Sequence, residues 1–390
     1  MTPRNPIAHL LSARAFAAAG EFGPARVAFE SALALCPALI VAHLGYAEML
    51  TRHGEFAAAI EHIAAGYKPT PAITIPYTGA GTPIHVLQLA SAIEGGHVNS
   101  DAFLDAGRFE VTTVIVEYWD PIRPFPPHEV IFNSIADADL CESSLYVAQW
   151  LLENNVVPVV NAPARVLDTG RAANAAHLRD LANVVVPRIE AFSKAELLEP
   201  SAPKTLVAHG FSFPLLARSP GHHNGRHFSK IDTADELAGV IAELPGDDIL
   251  VLEFIDVREP DGTIRKYRAI IIDGVFYPAH LAVSDSWKVH YFSAQMGDAE
   301  RAEEARYFAN PRAALGDAVV DALESVAGKL GLEYLGIDFG IDAHRRPVIF
   351  EANAAMTIFL PEDNAASHYR RAPVLAIYNA ARKMVATKAS

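Results

Sequence analysis

Cysteine is nearly absent from this sequence of 390 residues, which contains only Cys36 and Cys141. Two cysteines cannot supply a disulfide framework or a cysteine-based zinc site, and their scarcity fits a reducing cytoplasm. Long hydrophobic runs are absent as well, since no apolar stretch approaches the length of a membrane span. We therefore expect a cytoplasmic protein with no membrane partner.

Positive charge is scarce too. The chain has 46 acidic and 32 basic side chains, which gives a formal net charge of −14. A nucleic-acid-binding protein needs a basic face, so this balance argues against that class. Small anionic ligands need only a local basic cleft and are not excluded. A hydrophobic content of 51% is typical of a soluble globular protein, and the length allows two or three domains.

Residues 1–71 match themselves at an offset of 34 residues. The tripeptide Gly-Glu-Phe occurs at 20–22 and at 54–56, and Pro37 is followed by Pro71. A 34-residue period with Gly, Ala and Pro at matching positions resembles the tetratricopeptide repeat, which is a helical hairpin. The pattern predicts two helical hairpins. Their role stays open between packing against the next domain and docking a peptide or protein partner.

From residue 72 the pattern changes to strands that alternate with helices. We predict strands in PIHVLQLAS, FEVTTVIVEYW, EVIFNSI and VVPVVN, and a helix in SSLYVAQWLLENN. Strands that alternate with helices favour a parallel sheet with both faces covered. The segment 72–200 is therefore predicted to form a Rossmann-like domain.

Residues 213–231 are predicted to form a strand, a glycine-containing turn and a second strand. Gly221 and Gly225 allow the backbone to approach a phosphate and to offer it N–H groups. Arg218 and Arg226 flank this turn, and a guanidinium can bind phosphate oxygens through two parallel hydrogen bonds. The segment predicts a phosphate-binding flap.

Basic residues then recur on apolar strands. RKYRAIIIDGVFYPAHLAVS is predicted to be a strand pair around the turn Asp273–Gly274. Lys266 and Arg268 are two residues apart, as are Lys288 and His290, so each pair lies on one strand face. The repeated spacing predicts a concentration of cations before the next hairpin.

An acidic hairpin follows in GIDFGIDAHRRPVIFEANAAM, residues 336–356. Alternation places Asp338 opposite Glu351 and Asn353 across the turn. Two carboxylates and an amide oxygen are ligands that suit Mg²⁺, which would also neutralise the paired acids. The alternative is that Asp338 pairs with Arg345 or Arg346, while Glu351 and Asn353 merely end a strand.

The same alternation assigns the apolar residues of the second hairpin strand to faces. Val348, Phe350 and Ala352 are predicted on one face, and Ile349 on the other face with Glu351 and Asn353.

The order of these segments resembles the ATP-grasp superfamily. A lead-in at 161–194 precedes the flap, an acidic hinge strand, a basic strand, and an acid followed thirteen residues later by Glu-x-Asn. The resemblance covers about residues 75–385. It implies an α/β chain in which helical repeats (1–71) and the Rossmann-like domain (72–200) precede an ATP-grasp domain (201–390).

The resemblance also implies roles for individual residues. Asp338, Glu351 and Asn353 match the family residues that hold Mg²⁺ on the phosphates of ATP. Arg171 and Arg218 stand where the family commonly has phosphate-binding lysines, a replacement that keeps the charge but alters the geometry. Glu253 would face the adenine amino group. The remaining nucleotide contacts would come from the hinge backbone and a ribose-binding acid: Phe254, Ile255 and Asp256.

The activity implied by the resemblance is an ATP-dependent carboxylate–amine ligase that forms an acyl-phosphate and then an amide. Lys266, Arg268 and Lys288 would stabilise the transferring phosphoryl group and the oxyanion. Either His290 or His280 would accept the proton of the amine. Two alternatives remain, a small-molecule kinase on the same fold and a repeat-based binding protein with a relic ATP site. The substrates, small molecules or peptides, are not identified by the sequence.

Overall fold

The computed structural model describes residues 5–93, 95–220, 225–289, 294, 296–364 and 367–390. Within these ranges the chain is a mixed α/β protein with an all-α segment at its N-terminus and three β-sheets. The predicted α/β fold class is confirmed. In the part of the chain described, no helix is both long and apolar enough for a membrane span.

The N-terminal segment consists of two helical hairpins. Its helices are α1 (Pro6–Ala18), α2 (Phe22–Leu35), α3 (Ile40–Arg52) and α4 (Phe56–Tyr67). The first helices of the two hairpins start 34 residues apart, as do the second helices, in agreement with the sequence period. Small residues allow close crossing, since Ala13, Ala25, Ala32 and Ala42 are fully buried. Membership of the tetratricopeptide class stays a prediction.

The first sheet has the order β1-β3-β2-β4-β5, and β2 to β5 are parallel. Its strands are β1 (Ala72–Ile75), β2 (Ile84–Ala90), β3 (Phe109–Ile115), β4 (Val130–Asn133) and β5 (Val159–Val160). Three helices accompany it: α5 (Glu142–Leu151), α6 (Pro163–Leu167) and α7 (Arg171–Leu178). The predicted parallel sheet is confirmed. Sequence reasoning missed β1, an antiparallel edge strand that joins the helical hairpins to the sheet.

The second sheet is antiparallel, in the order β6-β9-β7-β8. Its strands are β6 (Ile189–Ser193), β7 (Leu215–Arg218), β8 (Phe228–Ile231) and β9 (Asp248–Glu253). The helices α8 (Lys194–Leu198), α9 (Ala202–Ala208) and α10 (Leu237–Glu243) belong to this region. The predicted flap is the β7–β8 hairpin. Because β6 pairs with β9, this sheet begins before the predicted domain boundary at residue 201.

The third sheet is also antiparallel, in the order β11-β10-β12-β13. Its strands are β10 (Ile264–Ile272), β11 (Val275–Ser284), β12 (Tyr334–Ile341) and β13 (Pro347–Asn353). The helices are α11 (Asp298–Ala309), α12 (Pro311–Leu315), α13 (Asp317–Leu330) and α14 (Arg371–Lys388). The turn between β10 and β11 has positive φ at Asp273 and Gly274, the geometry of a tight hairpin turn.

The first and third sheets share one hydrophobic core, whereas the second sheet has its own. The fully buried Asn161, which follows β5, joins the first sheet to the third. Its amide nitrogen donates to the carbonyl of Tyr334, and its amide oxygen accepts from the backbone N–H groups of Glu333 and Tyr334. This fixes the start of β12, the strand that carries Asp338.

A β-bulge corrects the predicted faces of β13. Asp338 pairs with Glu351 but Phe339 pairs with Ile349, so Phe350 is the extra residue. Ile349 consequently packs in the same core as Ala352 rather than facing the side of Glu351. Phe350 is 36% exposed and lines the cleft described below. Strict alternation gave the wrong face for Val348, Ile349 and Phe350, because one inserted residue reverses the pattern. Val348 packs with Val257 and Ile264 instead of with Ala352.

Candidate active site

A cleft of about 620 Å³ is lined by residues of the second and third sheets. The chain segment at 254–257 leaves the second sheet at the end of β9 and forms one wall. The β7–β8 flap, the basic strand β10 and the acidic hairpin β12–β13 contribute further polar groups. Four separate stretches of sequence predicted to carry chemistry therefore meet in one cavity.

The residues predicted to contact the nucleotide base and ribose lie together on one wall of the cleft, which we call the hinge wall: Glu253, Phe254, Ile255 and Asp256. The backbone N–H of Arg188 donates to the Glu253 carboxylate at 3.1 Å, and the Glu253 N–H donates to the Arg188 carbonyl at 2.9 Å. Apolar side chains surround this wall, namely Pro187, Ile189, Leu216, Leu252, Val257 and Ile264. An apolar slot with a polar edge is suited to a planar heterocycle.

The flap is held against the loop that follows β11. Lys288 donates through Nζ to the carbonyl of Phe228 at 3.1 Å, and Trp287 packs edge to face on Phe228 with 5.4 Å between ring centroids. Gly225 has φ of +68°, and a Cβ there would lie 2.7 Å from the Cε of Lys288. The positive φ favours glycine at this position, and a side chain there would displace the end of Lys288.

Not every predicted flap residue reaches the cleft. Arg226 is exposed and does not line the cavity, whereas Arg218 and Gly225 do. Gly221 and His290, which were also predicted to take part, lie outside the described residues.

Arg171 and Arg218 lie on the cleft near the acidic hairpin. The guanidinium of Arg171 donates to Asp139 at 2.9 Å and to Glu351 at 3.2 Å. Burial opposes the charge of Arg171, but Glu351 and Asp139 outweigh burial and raise its pKa. For Arg218, burial together with the nearby Arg171 lowers the pKa to about 10. Both side chains stay cationic at neutral pH, as phosphate binding requires.

Asp338 lies at the centre of the cluster and is 1% exposed. Lys266 approaches its carboxylate at 2.6 Å, and Arg268 donates to it through two hydrogen bonds of 2.6 and 2.9 Å. Burial would raise the pKa of Asp338, but these two cations hold it well below its usual range. The carboxylate is therefore ionised in the folded protein.

The alternative pairing of Asp338 with Arg345 or Arg346 is wrong. Arg346 pairs with Asp342 at 2.8 Å, and Arg345 donates to the carbonyl of Leu315 at 3.0 Å. Both arginines thus have partners other than Asp338. Because β10 pairs with β12, Lys266 and Arg268 on β10 lie next to Asp338.

Glu351 and Asn353 complete the acidic set. Asp338 is the cross-strand partner of Glu351, and Gly336 is that of Asn353. Asn353 donates through Nδ2 to Oε1 of Glu351 at 2.9 Å, and its Oδ1 accepts from the N–H of Ala355 at 3.0 Å. Glu351 lies opposite Asp338, as the alternation predicted, and all three residues line the cleft.

This donor set fits a Mg²⁺ ion. A carboxylate has about four acceptor positions, and three contacts from Lys266 and Arg268 leave Asp338 capacity for a further ligand. Glu351 uses Oε1 for both Arg171 and Asn353. Within the described ranges no group of three His, Cys, Asp or Glu residues is placed to hold a metal. Asn353 adds an amide oxygen to the two carboxylates on the cleft.

The charge of the cleft is opposite to that of the chain. Among the described lining residues, six are cationic and five are carboxylates, although the chain as a whole has a formal charge of −14. Acidic proteins bind polyanions only through such a local excess of positive charge.

Sequence reasoning missed several residues of the site. Asp139 orients Arg171, Trp287 packs on the flap, and Arg370 lines the cleft with its guanidinium bound to the buried Glu304. No local pattern distinguishes these residues from surface charges or core aromatics. His280, which the sequence analysis named as an alternative proton acceptor, does line the cleft.

No family model matches the chain, and no curated protein matches it by sequence. Among solved structures, the chain is similar to a RimK-domain ATP-grasp protein from Sphaerobacter thermophilus, with 16% identity, a TM-score of 0.46, and coverage of 77% of this chain and 99% of that chain. The VanG D-Ala:D-Ser ligase from Enterococcus faecalis gives 13% identity, a TM-score of 0.48, and coverage of 79% and 100%.

A third similar structure is the ATP-grasp ligase PsnB in complex with precursor peptide PsnA2 and AMPPNP. It has 15% identity and a TM-score of 0.44, and the match covers 76% of this chain and 98% of that chain. At these identities and TM-scores the likenesses carry neither a reaction nor a substrate over to this chain.

Proposed function

We propose that this chain is an ATP-dependent ligase that joins a carboxylate to an amine through an acyl-phosphate. The observation that carries the proposal is the meeting of Asp338, Glu351 and Asn353 with Lys266 and Arg268 in one cleft. Hard oxygen ligands beside fixed cations suit a metal–triphosphate. The adjoining apolar hinge wall provides a place for the base of a nucleotide.

Each polar group then has a role in the proposal. Asp338, Glu351 and Asn353 would hold Mg²⁺, which supplies charge neutralisation on the phosphates when bound. Arg171 and Arg218 bind phosphate oxygens, and Glu253 with the hinge backbone binds the adenine edge. Arg268 and Lys266 stabilise negative charge that develops on the transferring group and the oxyanion. Lys288 closes the flap over the phosphates.

His280 is the described candidate for accepting a proton from the attacking amine. It is 6% exposed and lines the cleft. Burial and the nearby Arg268 lower the pKa of His280 well below its usual value. The imidazole is therefore neutral at pH 7 and offers an acceptor nitrogen, although its lowered pKa makes it a weaker base.

A trapping experiment tests the reaction. Hydroxylamine converts an acyl-phosphate into a hydroxamate, so the protein with ATP, Mg²⁺ and a pool of carboxylates should yield a hydroxamate without any natural amine. The readout is mass spectrometry. A stable phosphorylated alcohol with no hydroxamate would instead identify a small-molecule kinase, and failure to bind Mg·AMP-PNP would favour a binding protein with a relic site.

Arg268 provides the mutational test. Arg268→Ala should lower turnover by roughly 10²–10³, because one preorganised donor to a developing charge is lost. The AMP-PNP affinity should change far less, since that charge develops mainly in the transition state. Equal losses in turnover and in AMP-PNP affinity would contradict the assigned role.

The domain boundaries at residues 71 and 200, a cytoplasmic location and the docking of a peptide or protein on the N-terminal hairpins stay proposals. Removing residues 1–71 tests the first boundary and the role of the hairpins together. The shortened chain should still bind AMP-PNP. A soluble truncation that cannot bind AMP-PNP would show that the nucleotide site depends on the hairpins.

A further inference from the structure

The cleft extends past the Asp338 cluster into a region that the nucleotide roles do not use. We call it the Arg370 region, and it is lined by His280 on β11, residues 355–359 and 361, and Arg370 and Val374 at the start of α14. The segment 355–361 follows directly after Asn353, the last residue of the acidic hairpin. Any molecule in this region therefore lies next to the proposed phosphates.

Arg370 is oriented by a carboxylate beneath it. Glu304 on α11 has no solvent exposure, and it accepts hydrogen bonds from Nε and Nη2 of Arg370 at 2.8 and 2.7 Å. The hydroxyl of Tyr369 and the backbone N–H of Leu281 donate to the same carboxylate. Four donors on one buried carboxylate hold the guanidinium in a fixed position against the cleft.

A buried ion pair of this kind needs an explanation. The desolvation of two charges commonly cancels their attraction, so apolar residues in the same place would give equal or greater stability. The Arg370–Glu304 pair lies in the cleft wall rather than in a closed core, since Arg370 lines the cavity and its side chain is 17% exposed. Its position points to recognition of a ligand.

Arg370 presents a fixed cation to this part of the cleft. Its guanidinium lines the cavity while Glu304 holds it from the protein side, and His280 lines the same part of the cleft. A carboxylate is a ligand group that can form charged, paired hydrogen bonds with a guanidinium held in this way.

The walls of the region are apolar. They are formed by Ala279, Met356, Ile358, Phe359, Pro361 and Val374. Hydrocarbon parts of a ligand gain free energy by contact with such surface, whereas a second charged group would lose hydration with no partner.

We propose that Arg370 binds a carboxylate group of a substrate whose remaining body is apolar, and that this contact selects the substrate. The inference rests on the proposed ligase function and gives it a substrate class, an apolar monocarboxylate. Glu304 is a positioning residue that acts through Arg370.

Binding of matched probes tests the proposal. Hexanoate and 3-phenylpropionate are titrated by calorimetry into the full chain with saturating Mg·AMP-PNP, beside hexanamide and 3-phenylpropanamide. The carboxylates should bind and the amides should bind at least roughly tenfold more weakly, since only the carboxylates make charged hydrogen bonds. Absence of carboxylate binding, or equal binding of acids and amides, would overturn the proposal.

Variants at Arg370 sharpen the test. Arg370→Gln should weaken carboxylate binding by roughly 10- to 100-fold while the amides and AMP-PNP bind as before, and Arg370→Lys should restore part of the loss. Arg312→Gln is the matched control, because Arg312 also pairs with carboxylates but is exposed on α12, away from the cleft lining. Unchanged carboxylate affinity in Arg370→Gln would overturn the proposal.

Phe359 offers a second route if Arg370→Gln does not fold. Phe359 lines the region but is 65% exposed, so charged substitutions are tolerated there. Phe359→Glu should weaken carboxylate binding and Phe359→Lys should strengthen it, each by roughly threefold to tenfold; a change of the same sign in both variants would overturn the proposal. Loss of AMP-PNP binding in the wild-type chain with retained carboxylate preference would refute the ligase function alone.

Discussion

Replacement of Asp338 by asparagine keeps the shape of the side chain and removes its charge. In the folded protein this carboxylate is 1% exposed and is contacted by Lys266 at 2.6 Å and by Arg268 at 2.6 and 2.9 Å. The variant leaves two neighbouring cations without their common counter-ion. They repel each other, and each has lost solvation that the carboxylate had replaced.

The expected cost follows from this geometry. Breaking a buried ion pair by removing one partner costs about 3–5 kcal/mol of unfolding free energy. The side chains of Lys266 and Arg268 are 21% and 23% exposed, so water can partly solvate them in the variant. We therefore expect a loss near the lower limit, about 3 kcal/mol.

The pH dependence gives an independent check on the same carboxylate. Its pKa is depressed in the folded state, so its contribution to stability is present above the unfolded pKa of about 4 and is lost as the pH falls further. The difference in stability between the wild type and Asp338→Asn should be constant from pH 5 to 7 and should shrink below about pH 4.

Urea unfolding followed by tryptophan fluorescence measures the effect, with melting temperature as a second probe. Asp321→Asn is the control, because Asp321 pairs with Arg312 on the surface and both side chains are exposed, so it should change stability by less than about 1 kcal/mol. If Asp338→Asn were as stable as the control at pH 7, the reasoning about the buried cluster would be refuted.

Three further outcomes are expected. Glu351→Gln should raise the Mg²⁺ concentration for half-maximal ATP turnover by roughly tenfold or more, because a charged ligand is lost; an unchanged Mg²⁺ dependence would contradict the metal role. Gly225→Ala should weaken AMP-PNP binding because φ is +68° and the new Cβ would meet Lys288 at 2.7 Å, whereas Gly262→Ala, with φ of +84° and open space, should not. The wild type should lose stability as the pH falls below about 6.5, because the depressed pKa of the buried His280 lets the unfolded chain take up a proton first. His280→Gln should lose less stability over the same pH range, and parallel pH profiles of unfolding for the two proteins would refute this.

Local patterns in the sequence were sufficient for the individual hairpins. The alternation in 336–353 predicted Asp338 opposite Glu351, and the pairing of β12 with β13 has this register. The Asp273–Gly274 dipeptide predicted the turn between β10 and β11, because both positions need positive φ. The 34-residue period matched the spacing of helix starts. Each of these features depends on residues near one another in the chain, where periodicity and turn chemistry act directly.

The bulge in β13 was beyond such reasoning. It brings Phe350 to the cleft and Ile349 to the core, although both residues are apolar and either fits either face. An inserted residue is accommodated according to the packing of the neighbouring strand and core, and nothing in the composition of β13 specifies it.

The partners of the site charges were decided by tertiary structure alone. Asp338 has two arginines within eight residues in sequence, yet it pairs with Lys266 and Arg268, because sheet order places β10 rather than the turn beside it. Arg171 reaches Glu351 across 180 residues of sequence. A charged side chain takes whichever opposite charge the packing of whole elements brings within reach, and the sequence carries no local signal of that choice. The chain by itself therefore determined which chemical groups are present and on which strands, while the order of strands in the third sheet determined which groups act together.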